Sequence, residues 1–94
     1  MHVFSGSKSY IKLKSGAECR SNDEYLGTFS SVEECSDECK ATPQCKFFCY
    51  DAGNSKCYWE KTSSASCSEG WEDDTYDFYQ LKSKGMYSLL NMFH

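Results

Sequence analysis

The stretch Ser31-Val32-Glu33-Glu34-Cys35-Ser36-Asp37-Glu38-Cys39-Lys40-Ala41-Thr42-Pro43, followed by Gln44-Cys45-Lys46-Phe47-Phe48-Cys49-Tyr50, holds a helix, its stop and the start of a strand. Ser31 and Glu34 have the spacing of a capping box, in which the hydroxyl takes an orphan amide and the carboxylate reaches back. Glu33 and Glu34 suit the positive end of the helix dipole. Thr42 precedes proline and so avoids helical angles. The helix is therefore predicted over residues 32–41. Cys35 and Cys39 share one face of it, with Val32 one turn earlier.

Beyond Pro43 the aromatic runs read as strands. Cys45 to Tyr50 and Lys56-Cys57-Tyr58-Trp59-Glu60 are joined by Asp51-Ala52-Gly53-Asn54-Ser55, a hairpin turn by composition. A closing strand is predicted at Thr75-Tyr76-Asp77-Phe78-Tyr79-Gln80-Leu81, and a short one at Leu26-Gly27-Thr28-Phe29. Thr62 to Ser68 reads as a Ser-rich loop. Residues 1–17 read as a leader or edge strand, with alternation in Tyr10-Ile11-Lys12-Leu13-Lys14. Residues 18–81 form the domain, and 82–94 a short apolar C-terminal tail.

Seven cysteines in 94 residues point to a disulfide framework formed in an oxidising, extracellular compartment. The count is odd, so at least one thiol is left free or bonded to another chain. At this length the chain allows one domain with a marginal core. Aliphatic residues are few, so Phe, Tyr, Trp and cystine must fill that core. No signal-peptide core and no membrane-length apolar run is visible. The chain is accordingly expected to be part of a longer secreted protein.

Charge narrows the function classes. The fourteen acids all lie between Glu18 and Asp77 with only five bases, a net −9 for that region. This argues against nucleic acid, whose phosphates need clustered Lys and Arg. Catalysis has little support: His2 and His94 lie at the two ends, so a cysteine nucleophile would lack a base. Four thiolates spaced as Cys35, Cys39, Cys45 and Cys49 could be drawn round zinc, but no His is near and three more cysteines need explaining. Two Cys-x3-Cys helices are a poorer reading, because Phe47-Phe48-Cys49-Tyr50 has strand character. The acids Glu69, Glu72, Asp73, Asp74 and Asp77 lack the spacing of an EF-hand loop. No metal or cofactor is expected.

A helix with cysteines at i and i+4, then a cysteine-bearing hairpin, then an aromatic closing strand resembles the PAN/apple domain family. The residues that carry the resemblance are Ser31 to Cys39, Pro43 to Tyr50, Lys56 to Glu60 and Tyr76 to Leu81. It implies an α+β fold in which a curved antiparallel β-sheet cradles one α-helix, stapled by disulfides. It also implies the pairs Cys39–Cys45, Cys35–Cys57 and Cys19–Cys67. Cys49 has no counterpart in the family pattern and is assigned as the free thiol, with an intermolecular bridge and disulfide reshuffling as the alternatives. In that pattern Phe48 and Tyr50 face the helix, which places Cys49 on the opposite face with Phe47 and favours its exposure.

The resemblance also implies a non-catalytic extracellular recognition module that binds a glycan or an extracellular protein. The alternative is a purely structural or assembly domain. Tyr58, Trp59, Trp71, Tyr76 and Tyr79 could form a sugar-stacking platform, although most are expected in the core. Trp71 is the aromatic expected to be exposed, because acids surround it. Trp71, Glu72, Asp73, Asp74 and Tyr76 are therefore the expected contact residues. The net −9 predicts a neutral or cationic ligand.

Overall fold

The structure is a computed structural model and describes residues 9–82. The elements are β1 (Tyr10–Lys14), β2 (Ala17–Cys19), β3 (Asp23–Thr28), α1 (Val32–Ala41), β4 (Phe47–Asp51), β5 (Lys56–Glu60), β6 (Trp71–Asp73) and β7 (Asp77–Leu81). The helix occupies the predicted span. Ser31 is its N-cap and accepts from the Glu34 amide at 3.2 Å. The Glu34 carboxylate reaches Ser30, accepting from its amide at 2.9 Å and its hydroxyl at 3.0 Å. Thr42 is extended, as the proline after it requires. Its amide and hydroxyl take the carbonyls of Cys39 and Glu38 at 3.0 and 2.8 Å, which satisfies two of the four carbonyls orphaned at the helix end.

The main sheet is antiparallel, in the order β1-β7-β4-β5-β3. The helix packs across one face. Under it lies a core of Tyr10, Cys35, Cys39, Cys45, Phe48, Tyr50, Cys57 and Tyr79, with Val32, Trp59 and Leu81 at its margin. Rings do the work of missing aliphatics: Phe48 and Tyr79 stack at 5.0 Å, with Tyr10 edge-on to both. β3 begins earlier than the sequence suggests because it follows β5 from Asp23 onward, with a register shift between Tyr25 and Gly27. Gly27 has φ +137°, and a Cβ there would lie 2.9 Å from the Phe29 ring, so the bulge requires glycine.

β4 starts at Phe47, two residues later than expected. Gln44 has φ +72° and the Cys45 amide bonds the Thr42 carbonyl at 3.1 Å, so the chain is still turning at Cys45. The disulfides are Cys39–Cys45, Cys35–Cys57 and Cys19–Cys67. The first ties the helix end to the entry of β4, and the second ties the helix to β5.

The acidic segment around Trp71, for which the sequence suggests no strand, contains one. β6 pairs with β2 in a two-stranded ribbon, Ala17 opposite Asp73 and Cys19 opposite Trp71. Three-residue strands are too short to show a period in the sequence. They form here because they close a second core on the sheet face away from the helix. That core holds Cys19, Phe47, Cys49, Cys67 and Phe78, flanked by Leu13, Trp71 and Tyr76. Helix, sheet and ribbon thus make three layers. Residues 1–8 and 83–94, including nearly all of the expected tail, lie outside the described residues.

Candidate functional site

Cys49 lies on the face opposite the helix, beside Phe47, but it is not exposed. It is fully buried and unbridged, because the ribbon covers that face. Its thiol donates to Glu60 Oε2 at 3.1 Å, and Ser21 donates to Glu60 Oε1 at 2.9 Å. Glu60 is itself fully buried at the end of β5. Glu18 of β2 comes down on the pair from the ribbon: the thiol and two carboxylates lie within 4.8 Å of one another. Among the described residues no Lys or Arg forms an ion pair with Glu18, Glu60 or Asp74.

Burial without a cation favours the protonated form of both carboxyl groups. Burial pushes Glu60 up to about 7 despite the hydrogen bonds from Cys49 and Ser21. Burial, then a hydrogen bond and repulsion from Asp74, push Glu18 up to about 8. Burial and the Glu60 carboxylate drive the Cys49 thiol strongly upward, so it is not a nucleophile. Glu18, Cys49 and Glu60 have donor atoms of the kind a cation takes, yet the thiol donates to Glu60, Ser21 donates to the other Glu60 oxygen and Glu18 is hydrogen-bonded to Asp74. Cys19, Cys67 and Glu69 also converge, but the two sulfurs there are a disulfide.

The expected contact residues gather on and beside the ribbon. Glu72 and Asp73 of β6 are exposed. Trp71 is half-buried, contrary to the exposure expected from its acidic neighbours. The ribbon lays its ring edge-on against Phe78 at 4.9 Å, and Lys14 lies over it at 5.4 Å. Tyr76 is half-buried against Tyr58, their ring centroids 5.9 Å apart. Asp74 turns inward, its carboxylate accepting from the Tyr76 amide at 2.8 Å and meeting Glu18. Of the aromatics proposed as a stacking platform, Tyr79 is core. The platform is thus divided between the two faces of the sheet.

Trp59 lies elsewhere, in a groove that sequence reading did not find. An open cavity of about 590 Å³ is lined by Gln44, Lys46, Trp59, Lys61, Thr62 and Ser63. A second, of about 480 Å³, shares Gln44 and Lys46 and continues to Lys40, Gln80, Leu81 and Lys82. The register explains the grouping. Phe47 lies between Glu60 of β5 and Gln80 of β7. Lys46, one residue before Phe47, therefore meets the segments just past the ends of both neighbours. Its carbonyl accepts from the Leu81 amide at 2.9 Å. The Cys39–Cys45 bridge brings the helix end, with Lys40, to the same place. Lys61 lies over the Trp59 ring at 4.6 Å and pairs with Glu24 at 3.1 Å.

Among curated proteins, none matches the chain. The family model described as PAN domain matches residues 5–83, from before β1 to just beyond β7. PAN domains are modules of protein and carbohydrate interaction and are generally non-catalytic. One helix stapled by two disulfides to an antiparallel sheet, together with a match that covers most of the sequence, makes this chain a member of the PAN domain family.

Proposed function

We propose that this domain is a non-catalytic recognition module of a secreted protein and that it binds carbohydrate in the groove between Gln44 and Ser63. The observation that carries this reading is the lining of the 590 Å³ cavity: one indole, one primary amide, two hydroxyl residues and two ammonium groups on a disulfide-fixed frame. Ligand sites of this kind combine an apolar wall with a few placed polar groups. Gln44 supports it further. A non-glycine residue at φ +72° is held by the turn and adjoining bridge rather than by its own preference.

The ribbon edge favours a second contact of another kind. Only Glu72, Asp73 and Thr75 are exposed between Trp71 and Tyr76. That edge suits a cationic segment of a protein, not a stacked sugar. A glycan array with wild type, Trp59→Ala and Trp71→Ala tests where a saccharide binds, and titration with an oligolysine peptide tests the ribbon edge. Binding that is lost in Trp59→Ala and kept in Trp71→Ala, with unchanged circular dichroism, supports the groove. Loss in Trp71→Ala alone returns the site to the ribbon.

A further inference from the structure

We infer that the groove selects an anionic saccharide, one carrying carboxylate or sulfate groups; this rests on the carbohydrate reading above. Across the two adjoining cavities the lining contains Lys40, Lys46, Lys61 and Lys82 and not one acid. This is the reverse of the domain as a whole, where acids outnumber bases. The net −9 describes a distant field, which falls off within about 8–10 Å in physiological salt. A ligand inside the groove meets the local charges instead.

Two further observations point the same way. Lys46 and Lys82 make no ion pair among the described residues, so their charges are uncompensated. Lys40 and Lys61 do pair, with Asp37 at 3.6 Å and Glu24 at 3.1 Å, but those carboxylates are exposed and lie outside the groove lining. In addition, one face of the Trp59 indole is covered by the Lys61 ammonium at 4.6 Å. A sugar that approaches from that side meets a cation before it meets a ring. A neutral sugar gains little from that arrangement, while a uronate or sulfate gains charge-assisted hydrogen bonds. Gln44, Ser63 and Gln80 then remain for the hydroxyls.

The test uses the whole chain with three hexasaccharide probes: heparin-derived (sulfate and carboxylate), hyaluronan (carboxylate only) and chitin-derived (neutral). The variants are Lys46→Ala/Lys82→Ala and, as a charge-matched control away from the groove, Lys12→Ala/Lys56→Ala. Calorimetric titration should show binding of an anionic probe that weakens roughly tenfold or more in the first variant and less than about twofold in the control. Raising salt from about 50 to about 300 mM should weaken it further. Binding of the heparin-derived probe alone assigns the anion to sulfate, and comparable binding of hyaluronan assigns it to carboxylate. If the neutral probe binds as well as the anionic ones and the groove variant is unaffected, the charge inference is overturned while the carbohydrate reading stands. If none of the three binds, both fall. Equal weakening by the two double variants would mean a diffuse charge effect and would also overturn the site.

Discussion

Cys49 shows how a single residue's neighbours decide its chemistry. An unpaired thiol in a disulfide-rich domain invites intermolecular bonding, but this one is buried, donates to Glu60 and is held far from its thiolate. Iodoacetamide should therefore leave it unmodified in the folded protein and label one thiol per chain in denaturant, as read by mass spectrometry. Cys49→Ser keeps a donor for Glu60 and should fold at a cost of about 1 kcal/mol. Cys49→Val leaves a buried carboxylate short of a partner and should cost about 1–3 kcal/mol in chemical denaturation. If the valine variant were the more stable of the two, the thiol–carboxylate bond would have no structural weight. Gln44 makes the opposite case. Gln44→Gly relieves a left-handed backbone and should gain about 0.5–1 kcal/mol, yet it removes an amide from the groove and should weaken saccharide binding.

At the level of elements, the helix and the ribbon are attached by different physics. The helix is tied covalently. Opening Cys35–Cys57, whose ends are 22 residues apart, should cost about 3 kcal/mol, and opening Cys39–Cys45, 6 residues apart, about 2 kcal/mol. Paired Cys→Ala variants in urea melts measure both. Equal losses would show that native strain outweighs chain entropy. The ribbon is tied by Cys19–Cys67 and by the carboxyl cluster. Glu60 and Glu18 have folded pKa values raised from 4.5 to about 7 and about 8, so the folded state binds more protons than the unfolded. Their contribution is full below pH 4.5 and is lost as pH rises towards 8. Asp51, lowered first by the hydroxyl of Thr75 at 2.6 Å, works in the other direction and sets the acid limb. Stability should thus peak near pH 4, between the ordinary Asp and Glu values, and fall by about 3 kcal/mol or more by pH 8.5. Glu60→Gln should flatten that decline in thermal melts, and an unchanged pH profile would refute the assignment.

For the molecule as a whole, two thin aromatic cores on either side of one sheet replace the single thick core that this chain is too small to build. Every disulfide has an end in one of those cores. Full reduction should therefore unfold the protein at 37 °C rather than loosen it locally, with loss of the near-ultraviolet dichroism of its tyrosines and tryptophans. Retained near-ultraviolet signal after complete reduction would show that packing alone suffices. Charge is also distributed by the fold: acids crowd the helix and ribbon while four lysines gather at one end of the central strands.

What the sequence by itself determined was local. The Ser31 cap and the Pro43 stop set both ends of α1, since capping and the pre-proline restriction act within a few residues. The aromatic runs at 45–50, 56–60 and 75–81 marked the three central strands to within two residues, because side chains of that size must be covered. The tertiary structure decided what those faces meet. Alternation put Cys49 beside Phe47, but only the ribbon determined that the face is buried, and three-residue strands leave no period to read. The same holds for the groove. Lys40, Lys46, Lys61 and Lys82 are scattered over more than forty positions of the chain, and net charge counted along the sequence hides them. Strand register and the Cys39–Cys45 bridge place them together, because an antiparallel sheet brings the start of one strand against the ends of its neighbours.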